Sequence, residues 1–256
     1  MSGSKSVLAA SLVIAGMFLW GCDQLKDITT APESSSPTTV AGQPVPDFST
    51  IPGHGGTMAT IGFDFSDFGI TVPLSVGYAQ FGQPGVDAGV VTVNGDTLAM
   101  SSGGSSVNYS SFNSSIPSSL AHVNFDGTPH TWNISGSTAV PAFSGSVTSP
   151  STFSISKPAA NDTITKSSGM TITWTGTSGS DSVMIVLKSM AGSSSFVKAG
   201  LPNSGSYQIA SASLTDFKAG SALLFVVKYR YVLKASNSRN YAITSEMVKQ
   251  ASVSIR

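Results

Sequence analysis

Residues 90–100, VVTVNGDTLAM, contain the clearest local folding signal in the chain. Two short runs rich in β-branched and apolar residues flank the dipeptide Asn94-Gly95. This dipeptide tolerates the positive φ angles that a type I′ turn requires. The stretch therefore predicts a tight β-hairpin.

The segments on either side of this hairpin also have strand character. In residues 70–79, apolar side chains alternate with small or polar ones, which is typical of a half-buried strand. Pro73 within it suggests an edge position, since proline cannot donate a hydrogen bond to a neighbouring strand. A second hairpin is predicted around Asp126-Gly127. Its alternation places five side chains on one face: Val123, Phe125, His130, Trp132 and Ile134.

The composition agrees with an all-β fold. Only 10% of the 256 residues are charged, 40% are hydrophobic, and 26 are glycine. Such a chain is too apolar to be disordered and too poor in strong helix formers to be a helical bundle. The single cysteine excludes an intramolecular disulfide, and a formal net charge of zero gives no general attraction to nucleic acid.

The strand signals fall into two groups, which predicts two β-sandwich domains. They lapse around residues 141–150, so we place a boundary between a first domain, residues 57–150, and a second, residues 151–256. The number and spacing of the short strands in the second domain match an immunoglobulin-like sandwich. Its predicted strands are residues 152–156, 170–176, 182–188, 206–211, 222–234 and 251–255, with a helical turn at 213–217.

Residues 1–21 have the organisation of a cleaved signal peptide. Lys5 precedes an apolar run from Val7 to Trp20, which is 14 residues long. At about 1.5 Å per residue it spans roughly 21 Å, short of the ~30 Å hydrocarbon core, so a transmembrane helix is disfavoured. Residues 22–56, rich in Pro, Ser, Thr and Gly, are predicted to be a flexible tether.

The leader ends in Leu19-Trp20-Gly21-Cys22. This sequence resembles the lipobox of bacterial lipoproteins, although Trp20 occupies a position that is usually small. The resemblance implies that Cys22 is lipidated and holds the protein by its acyl chains on the cell membrane or the outer membrane, facing the periplasm or the cell exterior. The whole layout resembles cell-envelope lipoproteins that carry immunoglobulin-like or fibronectin-III-like modules.

The sequence contains no recognisable catalytic motif for a nucleophile or a phosphate loop. The alternation places His122 and His130 on opposite faces, so we expect no metal site and no cofactor. A glycosidase would need a pair of carboxylates, and an exposed tryptophan stacks well on sugars. The residues available for such a site are Asp64, Asp67, Asp87, Asp96 and Asp126, with Trp132 or Trp174.

Charge is distributed unevenly along the chain. Residues 27–156 contain eight acids and no Lys or Arg, whereas residues 157–256 carry a net charge of +7. Lys228, Arg230 and Lys234 share one parity of a predicted strand. We therefore expect a row of cations on its solvent face. It would bind an anionic glycan or an envelope protein partner, such as the acidic first domain of a neighbouring copy.

These observations favour a non-enzymatic, lipid-anchored envelope protein with a binding or structural role. The alternative is a carbohydrate-binding or carbohydrate-processing envelope subunit that uses the aspartates of the first domain. Convergent aspartates beside an exposed tryptophan would favour the alternative. Separate aspartates and buried tryptophans would favour the non-enzymatic interpretation.

Overall fold

The computed structural model describes residues 51–67, 70–113, 116–117, 119–177 and 181–256. Within these ranges the fold is all-β, as the sequence predicts, and the helical segments are two 3₁₀ turns, Lys166–Ser168 and Ser211–Leu214. The strands are β1 (His54–Asp67), β2 (Ile70–Phe81), β3 (Val91–Val93), β4 (Asp96–Thr97), β5 (Ala99–Gly103), β6 (Ser106–Ser110), β7 (Phe112–Asn113), β8 (Ile116–Pro117), β9 (Pro129–Ile134), β10 (Phe143–Thr148), β11 (Ile155–Lys157), β12 (Thr163–Ile164), β13 (Met170–Trp174), β14 (Ser182–Ser189), β15 (Ser195–Pro202), β16 (Ser206–Ile209), β17 (Gly220–Ser236) and β18 (Arg239–Ile255).

One large sheet contains strands from both halves of the sequence. Its order is β15-β14-β17-β18-β1-β2-β6-β5, and β12 pairs with the end of β18. β1 runs parallel to β18, whereas the other neighbours in this order are antiparallel. The parallel pair therefore joins the two halves of the chain in a single hydrogen-bonded sheet.

The two longest strands, β17 and β18, form a hairpin of 17 residues on each side. At about 3.3 Å per residue it spans roughly 56 Å. Asn237 and Ser238 make its turn with φ angles of 47° and 61°, and positive φ at both central residues is the signature of a type I′ turn. This hairpin connects the two cores of the molecule. Residues near its turn belong to one core, and residues near its open end belong to the other.

Two smaller sheets cover one face of the large sheet, in the order β10-β9-β3-β4 and β11-β13-β16. Beneath the first, Trp132 clusters with Tyr241 and Ile243 of β18. Beneath the second, Ile172 of β13 clusters with Leu224 of β17. The protein is thus a two-layer β-sandwich with two cores along one continuous sheet.

The opposite face of the large sheet carries a third apolar cluster. Its members include Ile61 of β1, Val76 of β2 and Val227 of β17, all of which are buried. Because successive side chains of a strand point to opposite faces, β17 needs apolar residues at both parities. This explains its nearly continuous apolar run, ALLFVV, at residues 222–227.

The predicted boundary near residue 150 coincides with a change of core but not with a change of sheet. Val147 belongs to the first cluster and Phe153 to the second. The pairing of β1 with β18 crosses this boundary, with Met58 opposite Ile243. Residues 57–150 and residues 151–256 therefore share the large sheet, although each half also has a small sheet of its own.

The end of the predicted tether also needs correction, since β1 already begins at His54. Residues 54–56 are strand, and their glycines gave no apolar pattern from which to predict one. Gly55 is required where it lies, because a Cβ there would be 2.7 Å from the ring of Tyr241. Its small size allows the start of β1 to pack against β18.

The two predicted hairpins have different outcomes. The first is confirmed, since β3 and β4 pair across Asn94-Gly95 with positive φ angles at both residues. The second is wrong: β9 pairs with β10 and β3, and Asp126 bridges to Ser151. The predicted inward face is nevertheless correct, because Trp132 is fully buried.

Candidate functional site

The lipobox cysteine, Cys22, lies outside the described residues. The three cations of the predicted anion-binding row all lie within them, on β17. Lys228 is 0% exposed, Arg230 is half-buried and Lys234 is exposed. The prediction of a solvent-exposed row is therefore wrong. The shared parity is correct, but the three-stranded sheet and its loops cover that face at Lys228.

The amine of Lys228 is held by backbone carbonyls. Its Nζ donates to the carbonyl oxygen of Thr175 at 3.2 Å and to that of Gly176, and it lies 4.6 Å from the ring centroid of Phe153. Burial lowers the pKa of Lys228, and the charge of Asp181 partly opposes this effect. The side chain fixes the loop after β13 onto β17 and leaves no free amine for an external anion.

Two further side chains complete this arrangement, which we term the Lys228 cluster: Lys228, Gly176, Asn203 and Trp174. Trp174 Nε1 donates to Asn203 Oδ1 at 2.8 Å, and Asn203 Nδ2 donates to the Gly176 carbonyl at 3.0 Å. One carbonyl thus accepts from both Asn203 and Lys228. The cluster satisfies buried polar groups within the sandwich, and sequence reasoning missed it because its members are distant along the chain.

Arg230 is occupied by an ion pair. Its Nε lies 2.5 Å from Oδ1 of Asp181, a carboxylate that is 1% exposed. Lys234 lies farther along β17, close to the position of Gly145 on β10. Of the three predicted anion-binding residues, Lys234 is therefore the one that presents its charge to solvent.

The aspartates of the first half are engaged separately. Asp64 of β1 pairs with Lys249 of β18 at 2.6 Å. Asp87 accepts hydrogen bonds from the backbone N–H of Gly89 and the hydroxyl of Tyr109, and these bonds lower the pKa of Asp87. Both carboxylates thus serve local structure.

Asp96 and Asp126 also have local partners. Asp96 accepts hydrogen bonds from the backbone N–H and from Nδ1 of His122. Burial acts to raise the pKa of Asp96, but these bonds outweigh it and lower the pKa. Asp126 accepts from the hydroxyl and the N–H of Thr128, which lowers the pKa of Asp126. The side chain of Asp67 lies outside the described residues. The four described carboxylates therefore have four different sets of partners.

Neither candidate tryptophan offers a sugar-stacking surface. Trp132 is 0% exposed and Trp174 is 4% exposed. His130 on β9 is fully buried, whereas the side chain of His122, which precedes β9, is 70% exposed. The predicted placement of these histidines on opposite faces assumed a hairpin that does not form. His54 lies on β1 and approaches the hydroxyl of Thr57 at 3.2 Å.

Shallow grooves on the surface of the described chain include two that contain charged side chains. One is lined by Lys166 and Arg256 together with serine and threonine side chains. Lys166 directs its amine to the carbonyl oxygens of Thr215 and Phe217, so its charge supports the neighbouring turn. The other groove contains the ion pair of Asp64 and Lys249.

The described residues contain no group of three or more His, Cys, Asp or Glu side chains placed to hold a metal ion. They also contain no helix long and apolar enough to cross a membrane.

No protein-family model matches the chain, and no curated protein is significantly similar to it.

Proposed function

We propose that this protein is a lipid-anchored component of a bacterial cell envelope with a non-enzymatic binding or structural role. The observation that carries this proposal is the position of the only cysteine. Cys22 directly follows the small residue Gly21 at the end of a 14-residue apolar run. Lipoprotein processing requires a cysteine at this place.

The proposed anchor is a thioether between Cys22 and diacylglycerol, with the new amino terminus acylated. Each buried CH₂ adds about 0.8 kcal/mol of membrane affinity, so several acyl chains hold the protein firmly. The tether from Cys22 to the start of β1 at His54 is about 30 residues long. A flexible chain of this length has a root-mean-square span of about 30 Å, which separates the sandwich from the lipid surface.

The contacts of the described residues support a non-enzymatic role. Asp64, Asp87, Asp96 and Asp126 are each bonded to nearby groups, and both candidate tryptophans are buried. A carbohydrate-processing subunit would need two carboxylates free to face one sugar. These observations favour the structural interpretation over the alternative.

In this proposal the second half of the chain has an immunoglobulin-like arrangement within the shared sheet. The sheet β11-β13-β16 packs on β14 and β17 with Trp174 in the core between them, which supports the assignment. Its partner is an envelope protein or an anionic glycan, with Lys234 among the exposed cations. Nucleic acid is not a proposed partner, because the formal net charge is zero.

Cys22→Ser tests the anchor. We expect the variant to lose incorporation of labelled palmitate and to move from the membrane to the soluble fraction. The matched control is a double variant, Cys22→Ser with Ser36→Cys, which restores a thiol at the wrong place and should also remain unlabelled. Labelling of Cys22→Ser, or its retention on the membrane, would refute the lipoprotein proposal.

A further inference from the structure

The two edges of the large sheet differ in how they are protected. β15 forms one edge and β5 forms the other. A free edge presents unpaired N–H and C=O groups that can pair with another chain, and proteins usually protect it with charges, proline or bulges. An edge without such protection is therefore the one at which a strand of another molecule can pair.

The β15 edge has all three kinds of protection. It carries the exposed Lys198 and ends at Pro202. Its register shifts between the pairs Val183 with Leu201 and Ile185 with Lys198, so that β15 contains one extra residue and bulges. A strand of another molecule would meet charge and an irregular backbone at this edge.

The β5 edge has none of them. All five of its residues, Ala99–Gly103, are exposed, and Met100 is 57% exposed. Residues 98–125 contain no Asp, Glu, Lys or Arg, so neither β5 nor β6 carries a charge. Within the part of the chain that the structure describes, no strand pairs with the outer side of β5.

We propose that two copies of this chain pair through β5 in an antiparallel, two-fold arrangement. A head-to-tail chain of copies would require both edges to be open, and β15 is protected. A two-fold pairing requires only the open edge and closes it in both copies. The absence of charge on β5 removes the repulsion that self-pairing of a charged strand would cause.

The register follows from the length of the strand. Centring the two-fold axis on Ser101 pairs all five residues, with Ala99 opposite Gly103 and Met100 opposite Ser102 of the second copy. Five residue pairs form a small interface, which we expect to be weak in dilute solution. Confinement on a membrane raises the effective concentration, so the strength of the dimer in the cell rests on the proposed lipid anchor.

A cysteine scan tests the pairing. Met100→Cys, Ser101→Cys and Ser102→Cys are made singly in the full chain with Cys22 retained, and cells are treated with a mild oxidant. Opposed residues of an antiparallel pair have Cα atoms about 4.5–5.5 Å apart, within the range that a disulfide spans. In this register only Ser101 lies opposite the same residue of the second copy. Ser101→Cys should therefore give roughly tenfold more covalent dimer than Met100→Cys or Ser102→Cys, whose thiols would meet only by random collision.

Ser195→Cys on the exposed part of β15 is the matched control and should give only the background. Adding Met100→Lys to Ser101→Cys should abolish the dimer, since it places cations on the edge. Equal cross-linking of all three scanned positions, or no cross-linking both in cells and in concentrated purified protein, would overturn the pairing. A cross-link to a protein of a different mass would replace the second copy by another partner. Oxidation of the purified Ser101→Cys protein at high concentration separates failure of the pairing from failure of the anchor. If only the anchor fails, specific dimers should still form there.

Discussion

Nδ1 of His130 on β9 lies 2.7 Å from Oγ1 of Thr60 on β1, where the four-stranded sheet meets the large sheet. Ser245 Oγ is 3.2 Å from the same nitrogen, and Nε2 lies 2.9 Å from the carbonyl oxygen of Asn124. A carbonyl only accepts hydrogen bonds, so Nε2 carries the proton and Nδ1 accepts from a hydroxyl. The stability of this contact therefore depends on the protonation state of the ring, because burial between the sheets disfavours the charged imidazolium.

This dependence predicts acid sensitivity. Burial lowers the pKa of His130 from its ordinary 6.5, although the bond to Asn124 and the charge of Asp126 partly oppose this. Below about pH 6.5 the unfolded chain binds more protons at this residue, so stability is lost as the pH falls through that value. His130→Gln should cost about 1–3 kcal/mol at pH 7.5 and reduce this loss, measured by urea unfolding between pH 7.5 and 5.5. The exposed His122→Gln is the control, and an unchanged slope in His130→Gln would contradict the argument.

Glu246 predicts a dependence of stability on pH that has the opposite sign. It faces Tyr229 of β17 and Ile61 of β1 in the register, and burial raises the pKa of Glu246 from 4.5 to about 7. Between these values the folded protein holds a proton that the unfolded chain releases, so stability is lost as the pH rises. Glu246→Gln should be more stable than the parent at pH 8 in urea unfolding, with the difference shrinking at pH 5. The exposed Asp216→Asn should show no such trend, and a destabilised Glu246→Gln at pH 8 would refute the prediction.

The Lys228 cluster predicts that Lys228 stabilises the fold. Lys228→Met keeps the apolar stem but leaves the carbonyls of Thr175 and Gly176 without the amine, at a cost of about 1–3 kcal/mol in the free energy of unfolding. Lys234→Met, on the exposed end of the same strand, should stay within about 0.5 kcal/mol of the parent. Equal effects of the two variants would exclude the structural role of Lys228.

Charge reversal at the same position should be more severe. Lys228→Glu places a second carboxylate near the buried Asp181 and should prevent folding, because an uncompensated buried charge costs several kcal/mol. Circular dichroism and thermal unfolding measure this directly. A folded Lys228→Glu with a Tm close to that of the parent would contradict it. A test of glycan binding should therefore use Lys234→Glu, which leaves the core intact.

The shared sheet predicts that residues 151–256 fold poorly alone. Without β1, the part of β18 from Asn240 to Val248 loses one of its two neighbours and exposes a long edge. We expect no cooperative thermal transition from this fragment, and recovery when residues 22–150 are co-expressed. A sharp transition of the isolated fragment near the Tm of the full chain would show that it is an independent domain.

The alternation of side chains predicted which residues are buried more accurately than it predicted which strands pair. The buried positions of Trp132 and His130 follow from parity alone, because a strand has only two faces. The parity of Lys228 was equally clear, but the assignment of its face to solvent assumed that charged residues lie outside. Parity cannot show that a strand is covered on both sides.

Contacts between segments far apart in the sequence were the second feature that sequence patterns could not predict. The hairpin at Asn94-Gly95 is encoded by its own turn residues, so a local pattern was sufficient. The pairing of β1 with β18, and of Arg230 with Asp181, depends on segments far apart in the chain. A single sequence contains no local signal for such contacts.

The parallel pair of β1 and β18 also sets the order in which the protein can be completed. β1 leaves the ribosome before the other described strands, whereas its neighbour β18 follows all of them, so the large sheet cannot close until β18 has been made. Contacts of such high sequence separation also form slowly. If the protein is exported as we propose, this delay keeps the chain unfolded during its passage across the membrane, and folding is completed on the far side.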